Sequence, residues 1–397
     1  MKILQVSNRV PYPLNEGGTI GIYNYTRGYA EAGCEVTLFA QSPRKHQINE
    51  SEVREALEPY CRLFMFPVDT DVKPIPALLN LLSSKSYNIE RFNDPIFRET
   101  LANHLQEEDY DVIQIEGTFP AVFTPTVLKH RGNAKVVLRQ HNVEYQIWER
   151  LARNTSNPIK KWYLSLLSKR LKRFERKHLN HYDALVPVTV DDGNLFKAMG
   201  CTIPIQDSPA GIDINKWAPS ASILPMSVFH IGSLEWMPNL EAVEWFLDDI
   251  WDGIYNEHPE AKLYIAGKAM PDSLKERKIQ GVEMVGEVDS APEFVRDKSI
   301  TVVPLKSGSG IRLKILEAMS AGKIVISTTI GAQGIFYTNG KDLIIADNRA
   351  EFVAALNLIK SDPKRAESIR NEARRNIVEN YSNAAVIKRL LNFYCTL

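Results

Sequence analysis

The chain has 397 residues, too many for one typical core, so about two domains are expected. Its composition is typical of a soluble globular protein, with 44% hydrophobic and 24% charged residues and a formal net charge of zero. A net charge of zero argues against general nucleic-acid binding, which requires an excess of basic residues. The four cysteines are scattered without a C-x-x-C pair, which excludes a zinc knuckle and favours the reducing cytoplasm. The amino terminus turns polar too early for a signal peptide, and no apolar run approaches the roughly 20 residues of a membrane span.

Short apolar runs bounded by turn residues predict buried parallel strands in the first half of the chain. The chain begins with a predicted βαβ unit, which is typical of a doubly wound sheet. The unit consists of a strand over 2–7, a Pro- and Gly-rich loop, a helix over 20–32 and a strand over 35–40. The loop lacks the G-x-G-x-x-G fingerprint, so we expect no nicotinamide cofactor there. Further strands are predicted over 62–68, 111–116, 135–140 and 183–190, with mostly helical sequence over 78–107.

Two places in this half are candidate binding positions. Gly17 and Gly18 would let backbone N–H groups approach a phosphate or an acceptor sugar, although a loop that needs positive φ explains them equally well. Glu116 and His141 each follow a predicted parallel strand, at the edge where open α/β sheets bind ligands. A single histidine is more often structural, but the four polar residues 139–142 that leave a buried strand favour function here.

The most basic segment, residues 157–178, predicts an amphipathic helix. Its apolar residues, which include Ile159, Trp162 and Leu171, are expected on one face, with Lys and Arg on the other. Such a helix can lie on an anionic bilayer, or it can pack its apolar face on the domain core, which is the more usual role.

Residues 204–225, rich in Pro, Ser and Ala, mark the best domain boundary. We therefore expect an amino-terminal domain over 1–205, a linker over 206–225, a second domain over 226–375 and a C-terminal helix over 376–397. Asn239 is predicted to cap a helix that runs to Trp251. Strands predicted over 227–231, 262–266, 282–285, 300–304, 323–327 and 343–345 indicate that the second domain is also doubly wound.

The most informative stretch is 306–322, KSGSGIRLKILEAMSAG, which follows a predicted strand and reads as a glycine-rich turn and a helix. Such turns bring backbone N–H groups and the positive end of the helix dipole to a phosphate. Arg312 and Lys314, predicted in the first turn, place cations where the dipole favours acids, which suggests an anionic ligand. Glu317 could accept hydrogen bonds from ribose hydroxyls. The alternative is an ordinary turn in which Lys314 and Glu317 form an i,i+3 ion pair.

Two doubly wound domains with a phosphate turn in the second resemble the GT-B glycosyltransferase architecture, and the motifs resemble family-4 retaining glycosyltransferases. GIRLKILEAMSAGKIVIST is similar to the nucleotide-sugar motif of that family, PYPLNEGG to its amino-terminal loop, PAGIDINKW to its linker, and KLYIAGK with MVGEV to its donor domain. The resemblance covers nearly the whole chain. It implies two Rossmann-like domains that face a cleft, with the C-terminal helix crossing back to the first domain.

The resemblance also implies roles for individual residues. Glu317 would hold the donor ribose, residues 308–311 would offer N–H groups to the diphosphate or the sugar, and residues 285–288 would line the base. His141 would touch the transferred sugar or its phosphate, and Gly17 and Gly18 would lie over the diphosphate and acceptor. The expected catalytic residues are His141, Arg312, Lys314 and Glu317, and the expected substrate-binding residues are Gly17, Gly18, Glu116, Gly232, Gly267, Lys268, Gly286, Glu287, Val288, Gly308, Ser309, Gly310 and Ile311.

The sequence departs from the family pattern at two places. Ser309 stands where the first Glu of a pair contacts the sugar hydroxyls, and Ser233 and Pro238 stand where an Arg and a Lys offset the charge of the leaving diphosphate. Arg312 and Lys314 are well placed to substitute for those two cations. A bacterial branch with the pattern GSG-x-RLKILEAM shares this exchange.

We therefore expect a glycosyltransferase that moves a sugar from a nucleotide diphosphate sugar to a glycan, lipid-linked or small-molecule acceptor, with retention, in bacterial surface polysaccharide or glycoconjugate assembly. No metal or other cofactor is implied, and the D-x-D triplet Asp69-Thr70-Asp71 is attributed to chance. The expected location is cytoplasmic, with peripheral membrane contact through residues 157–178 and no nucleic-acid partner. Two alternatives stay open. A nucleotide-sugar epimerase would leave a changed sugar on its nucleotide, and a non-catalytic scaffold would bind no nucleotide.

Overall fold

The computed structural model of the protein describes residues 1–14, 17–43, 49–308 and 310–397. Within them the chain forms two compact units, one of Met1–Gly211 with Val386–Leu397 and one of Ile212–Ala385. Each unit is built around a parallel six-stranded sheet, so the predicted α/β class is confirmed. None of the helices in this part of the chain is long and apolar enough to cross a membrane.

The sheet of the first unit consists of β1 Lys2–Ser7, β2 Glu35–Pro43, β3 Arg62–Val68, β4 Val112–Glu116, β5 Lys135–Gln140 and β6 Ala184–Pro187. Its strand order is β3-β2-β1-β4-β5-β6, which reverses between β1 and β4. Doubly wound sheets bind ligands at such a reversal, outside the carboxyl ends of the strands. The helices are α1 Gly17–Glu31, α2 Glu50–Leu57, α3 Pro74–Asn80, α4 Tyr87–Glu90, α5 Pro95–Glu107, α6 Thr124–His130, α7 Glu144–Arg153, α8 Pro158–His178 and α9 Val190–Ala198.

The sheet of the second unit consists of β7 Ser227–Ile231, β8 Lys262–Ala266, β9 Val282–Gly286, β10 Ile300–Val303, β11 Ile324–Ser327 and β12 Ile344–Ile345. Its order, β12-β11-β10-β7-β8-β9, repeats the doubly wound arrangement with the reversal between β7 and β10. The α-helices that begin in this unit are α10 Met237–Trp245, α11 Trp251–Glu257, α12 Asp272–Lys275, α13 Ala291–Arg296, α14 Leu313–Ser320, α15 Arg349–Ser361, α16 Pro363–Asn376 and α17 Asn383–Tyr394.

Both sheets are covered by apolar cores on their two faces, which explains why their strands are nearly continuous apolar runs. In β1 the side chain of Ile3 enters one core, while those of Leu4 and Val6 enter the other. In β7 the side chains of Val228 and Phe229 divide in the same way. The period-2 alternation of a strand therefore fixes which polar residues share a face with which helices.

Two predicted helix starts are wrong. Asn239 does not cap its helix, because α10 begins at Met237 with Trp236 in the N-cap position. Pro238 is tolerated there since the first turn of a helix does not use its N–H groups. This helix ends at Trp245 and is followed by a π-helical segment, Phe246–Ile250, and α11. The helix after the glycine turn begins at Leu313, so Arg312 is at the N-cap and only Lys314 lies in the first turn.

Other boundaries are set by caps that the apolar pattern does not show. The segment 78–107 divides into α3, α4 and α5 because the Asp94 side chain accepts from the Phe97 N–H at 2.8 Å and starts a new helix. The strand predicted over 183–190 stops at Pro187 because Thr189 caps α9, its Oγ1 accepting from Asp192 N at 2.9 Å.

The basic helix α8 has a buried apolar face from Leu164 onward. Leu167 and Leu171 are buried there, whereas Ile159 and Trp162 near its start are 78% and 59% exposed. The predicted continuous apolar face against a core is therefore wrong for the start of the helix, before Leu164. Arg170 is not part of a solvated basic face either, because its guanidinium donates to the carbonyls of Asn80 at 2.9 Å and Leu81 at 3.0 Å.

The last residues of the chain belong to the first unit, as the expected crossing of the C-terminal helix requires. Helix α17 starts at Asn383, after a π-helical segment Ile377–Tyr381, so the helical carboxyl terminus is not one continuous helix. Ile387 and Leu390 enter the core that contains Ile3. The Tyr394 hydroxyl donates to Gln114 Oε1 at 2.5 Å in the middle of β4.

Candidate active site

Three glycines lie at the carboxyl ends of neighbouring strands in the second sheet. Gly232 follows β7, Gly267 follows β8, and Gly286 is the last residue of β9. Gly232 N donates to Ala266 O at 3.1 Å and Gly267 N donates to Gly286 O at 2.7 Å, so these ends are in direct backbone contact. A Cβ on Gly267 would lie 2.0 Å from the Gly232 carbonyl oxygen, and a Cβ on Gly232 would lie 2.5 Å from Lys314 Nζ. Side chains are therefore excluded at Gly232 and Gly267, and the edge stays a surface of backbone.

The loop between β10 and α14 bends at two glycines of positive φ, Gly308 at 124° and Gly310 at 83°. A Cβ on Gly308 would lie 2.7 Å from Arg312 Nη2 and 3.1 Å from Trp236 Cη2. Arg312 is 6% exposed; its Nη1 donates to the Gly310 carbonyl, and its guanidinium carbon lies 5.6 Å from the centre of the Trp236 ring. The loop thus holds the charge of Arg312 between the glycine turn and an aromatic ring.

The Lys314 ammonium group is held by two acceptors. Nζ donates to Asn239 Oδ1 at 2.9 Å and lies 3.4 Å from His230 Nε2. His230 Nδ1 donates to the Val302 carbonyl at 3.0 Å, which leaves a lone pair on Nε2 toward the ammonium. Asn239 Nδ2 donates to the Ser233 carbonyl at 2.8 Å, which fixes the amide with its oxygen toward Lys314. The cation is therefore anchored beside Gly232, at the reversal of strand order.

The pKa values of Lys314 and Glu317 are both shifted toward neutral pH. Burial, with the nearby charge of Arg312, lowers the pKa of Lys314 to about 7. Burial raises the pKa of Glu317 to about 7 in spite of the charges of Lys216 and Lys314. No ion pair joins these two described residues, since Nζ of Lys314 bonds to Asn239 instead. The i,i+3 ion pair of the alternative interpretation is therefore absent between these two residues.

A second polar cluster lies at the carboxyl end of β4 in the first unit. Burial alone would raise the pKa of the fully buried Glu116, but the charge of Arg139 and the hydrogen bonds from His141 and Gln114 lower it to about 2. The Arg139 guanidinium also lies 3.7 Å from the centre of the Tyr25 ring. Glu116 accepts from four side-chain nitrogens: Gln5 Nε2 at 2.8 Å, Gln114 Nε2 at 2.5 Å, Arg139 Nη1 at 2.9 Å and His141 Nε2 at 2.9 Å.

The structure brings His141 and Glu116 together, and the carboxylate orients the imidazole. Glu116 Oε2, which only accepts, and Arg139 Nη1, which only donates, both lie 2.9 Å from His141 Nε2. A hydrogen bond to Glu116 requires the proton on Nε2 and then leaves a lone pair on Nδ1. Burial lowers the pKa of His141 more than the hydrogen bond to Glu116 raises it, so the ring is neutral at pH 7. The side chain is 20% exposed. A neutral, oriented Nδ1 can accept a hydrogen bond from a hydroxyl group.

Gly17 and Gly18 are the first two residues of α1. Their backbone N–H groups therefore have no partner within the helix. Gly18 lies in the helix and not in a turn of positive φ, so that alternative explanation is wrong for it. A Cβ on Gly18 would lie 3.8 Å from Arg9 Nη1. A helix amino terminus beside a guanidinium group favours an anion.

The remaining candidates contribute less. Lys268 follows β8 with an exposed side chain, and its carbonyl accepts from Leu234 N at 2.9 Å. Glu287 is exposed and Val288 is partly buried after β9. The side chain of Ile311 packs on a core of the second unit, so only its backbone is available to a ligand. Ser309 lies outside the described residues.

Comparison with protein families identifies the chain. Residues 16–216, slightly more than half of the 397, match the family described as Glycosyltransferase Family 4. The chain belongs to glycosyltransferase family 4. Residues 225–362 match a second description, Glycosyl transferases group 1. The chain is thus an enzyme of the glycosyltransferase class, as its motifs predicted.

Similar proteins support the fold of this glycosyltransferase over its whole length. An uncharacterized 44.6 kDa protein in the cps region of Klebsiella pneumoniae is 23% identical over 406 residues, which cover 98% of each chain. HepE of Anabaena, solved in complex with UDP, is 14% identical, covers 100% of both chains and has a TM-score of 0.67. Sucrose-phosphate synthase of Thermosynechococcus elongatus is 15% identical, with 100% of this chain and 99% of that one covered and a TM-score of 0.66. The two Rossmann-like units have the GT-B fold.

Sequence reasoning missed the residues that hold the functional groups of this glycosyltransferase. His230 and Asn239 anchor Lys314, and Gln5 and Gln114 bind Glu116. A signal was present for three of them, because His230, Gln5 and Gln114 are polar residues inside apolar strands. A polar side chain buried in a sheet needs a partner, so each such residue marks a buried polar contact.

Proposed function

We propose that this glycosyltransferase moves a sugar from a nucleotide diphosphate sugar to an acceptor hydroxyl, with retention at the anomeric carbon. The observation that carries the proposal is the position of two cations, Arg312 and Lys314, at the glycine turn between β10 and α14. A diphosphate needs fixed positive charge and backbone donors, and a ribose needs an acceptor such as Glu317. All these groups lie on one turn and the helix that follows it.

The two cations suit the departure of a diphosphate. As the bond between the anomeric carbon and the diphosphate oxygen breaks, negative charge develops on the leaving group, and preorganised cations stabilise it. Arg312 can bridge two phosphate oxygens, whereas Lys314 supplies a point charge. A bound diphosphate raises the pKa of Lys314, which fixes its proton. Both cations contact the segment after β7, Arg312 through Trp236 and Lys314 through Asn239, where the family pattern has its Arg and Lys.

Retention is supported by the resemblance to retaining family-4 enzymes. We propose front-face attack, in which the acceptor oxygen bonds to the anomeric carbon on the side from which the diphosphate leaves. The acceptor proton passes to the departing diphosphate oxygen, so the step is carried by positioning and electrostatics. In the first unit, His141 Nδ1 would accept a hydrogen bond from a sugar hydroxyl, and the amino terminus of α1 would bind an anion.

A thermal-shift screen over nucleoside diphosphates tests donor binding, because a ligand that binds only the folded state raises its Tm. UDP is the first candidate, since HepE was solved with UDP and with UDP-glucose. NMR of the product then reports the anomeric configuration, and inversion would contradict the mechanism. A changed sugar still attached to its nucleotide would instead reveal an epimerase, and the absence of any nucleotide binding would favour a scaffold.

The acceptor and the process are proposals of the same kind. The relative in the cps region of Klebsiella pneumoniae supports a role in capsule or other surface polysaccharide assembly. Transfer to a lipid-linked acceptor in such a process would take place at a membrane, on its cytoplasmic face.

An apolar surface on the first unit supports peripheral contact with a membrane. The Arg170 guanidinium of α8 donates to the carbonyls of Asn80 and Leu81, so this part of α8 contacts the end of α3. Lys160 and Lys161 are exposed in the first turn of α8, where they can contact anionic headgroups. Exposed apolar side chains on bilayer-facing helices insert at the headgroup boundary. Five apolar side chains in these two regions are at least 59% exposed, and we refer to them together as the apolar surface: Leu78, Leu79, Leu82, Ile159 and Trp162.

A further inference from the structure

A pocket of about 550 Å³ lies in the first unit among α4, α5, α6 and α8. Its volume is within the range of about 300–1,000 Å³ that is typical of small-molecule sites. Ile89, Ala121 and Phe174 contribute apolar lining. None of the residues assigned above to nucleotide or sugar binding lines it. It is therefore a site separate from the candidate active-site residues.

The lining of this pocket carries an excess of positive charge. Arg98 of α5 and Arg173 and Lys177 of α8 line it, and none of the three forms an ion pair with any residue in the described ranges. Lys85 also lines the pocket but pairs with Glu90, the only carboxylate of the lining, at 3.1 Å. A concave site with uncompensated cations concentrates the field and favours an anion.

The pocket also contains a buried polar group that lacks a partner. Ser86 is 4% exposed, and its Oγ has no hydrogen-bond partner in the part of the chain that the structure describes. Buried hydroxyls are normally paired, so Ser86 keeps an unused hydrogen-bonding group in the lining of the pocket. Arg170 shows the contrast, because it lines the same pocket but its guanidinium is occupied by the carbonyls of Asn80 and Leu81.

We infer that this pocket binds the phosphate ester or diphosphate group of an organic ligand. Three cations exceed the single charge of a carboxylate, whereas a phosphate monoester carries about −1.5 to −2 charges and a diphosphate carries more. The guanidinium groups of Arg98 and Arg173 match phosphate oxygens bidentately. The volume and the apolar lining accommodate an organic substituent beside the phosphate.

This inference does not rest on the proposed donor chemistry, because its residues lie in the first unit and the two cations of the donor proposal lie in the second. The phosphate can belong to a soluble phosphoester or to a lipid. Arg170 connects the pocket lining to the end of α3, next to Leu79 and Leu82 of the apolar surface. The lipid source of the phosphate is therefore tested beside the soluble one.

The test is calorimetric titration of the full chain with two probes, inorganic pyrophosphate and dihexanoyl phosphatidic acid. The pocket variant is Arg173→Gln with Lys177→Gln, and the control is Lys169→Gln with Arg176→Gln. Both remove two exposed charges from α8, but only the first pair lines the pocket. Both variants leave the second unit unchanged, so any probe bound there contributes equally to the three titrations. Circular dichroism and Tm establish that both variants are folded.

We expect the Kd of the better probe to rise at least tenfold in the pocket variant and less than twofold in the control. Tighter binding of the short-chain lipid identifies a lipid phosphate, and equal or tighter binding of pyrophosphate identifies a soluble one. Equal losses in both variants, or no loss in the pocket variant, would overturn the inference. Both variants leave Arg312, Lys314 and Glu317 intact, so failure of this test is separate from failure of the donor proposal.

Discussion

Asn239 Oδ1 accepts a hydrogen bond from Lys314 Nζ at 2.9 Å, although 75 residues separate the two in sequence. The contact joins the first helix of the second unit to the helix after its glycine turn. It places a buried cation at the end of β7, in a segment where the family pattern has cations of its own. The asparagine that looks like a helix cap is instead the anchor of this charge.

Removing the Glu317 carboxylate should weaken nucleotide binding without unfolding the protein. Hydrogen bonds to a charged group contribute about 1.5–3 kcal/mol, so Glu317→Gln should raise the Kd for a nucleoside diphosphate about 10- to 100-fold. Titration with the 2′-deoxy nucleotide separates the roles. The parent should prefer the ribonucleotide, and the variant should lose that preference. An unchanged preference would contradict ribose binding by Glu317.

Arg312→Ala should lower kcat by about 10²–10³ and affect the donor KM less, because the charge acts mainly on the leaving diphosphate. Arg312→Lys should recover little, since an ammonium cannot reproduce the planar fork of a guanidinium. Kinetics must be normalised to the folded fraction, because Arg312 also packs against Gly308 and Trp236. Near-parent turnover at normal KM would contradict the exchange of cations.

The affinity for a nucleoside diphosphate should be greatest near pH 7. The bound state needs protonated Lys314 and ionised Glu317, and both have a pKa of about 7 before binding. Above that pH the free lysine has lost its proton, and below it the free glutamate has gained one, so binding weakens in both directions. Glu317→Gln should abolish the acid limb and leave the alkaline limb. An affinity of the parent protein that stays constant between pH 6 and pH 8, about one unit on either side of the two pKa values, would contradict this coupling.

Breaking the Glu116–Arg139 pair should destabilise the first unit strongly. Both side chains are at most 2% exposed, so Glu116→Gln leaves a buried uncompensated guanidinium, at a cost of about 3–5 kcal/mol. The low pKa of Glu116 means that this stability is present above the ordinary Glu pKa and is lost as pH falls toward about 2. Urea denaturation of parent and variant measures the difference.

Glu108 provides a matched control for this comparison. Hydrogen bonds from Lys2 and Arg62 lower its pKa to about 2 as well, but it is a surface residue. Solvent screening limits such a pair to about 1 kcal/mol or less, so Glu108→Gln should be much milder. Equal effects of the two substitutions would show that burial of Glu116 is not the reason for its contribution.

Membrane contact should depend on the apolar surface more than on the polar face of α8. Ile159→Ser with Trp162→Ser should reduce sedimentation with phosphatidylglycerol vesicles, while Phe336→Ser, which changes a 75% exposed residue of the second unit, should not. Substituting Arg170 or Lys172 would confound the assay, since Arg170 binds α3 and Lys172 lies over the Tyr145 ring. No binding by the parent would dismiss membrane contact.

The sheets were predictable from sequence because strands buried on both faces are continuous apolar runs. The predicted bounds of β1, β3, β5, β7 and β8 agree with the structure at both ends. Helix starts were less predictable where a local rule competed with a tertiary contact. Asn239 satisfies the cap rule in sequence, but its side chain is taken by Lys314 and Ser233, which no local pattern contains.

The site was predictable where backbone conformation demands a residue type, as at Gly308 and Gly310. The site was less predictable where function depends on which side chains come into contact in the fold. The motif supplied Arg312, Lys314 and Glu317, but the displaced pKa values of Lys314 and Glu317 arise from burial, which only the fold determines. The exposed start of α8 was missed because an apolar helical stripe looks the same whether a core or a bilayer covers it.

The return of the carboxyl terminus to the first unit imposes an order on folding. Gln114 and its partner Tyr394 are 280 residues apart, and Ile387 and Leu390 complete a core that begins with Ile3. At about 5–20 residues per second, a ribosome needs about 14–56 s to make that stretch. The first unit therefore lacks its last helix until the second unit has been synthesised. The part of the enzyme that is synthesised first is the part that is finished last, and a chain truncated before α17 would leave an apolar face of the first unit uncovered.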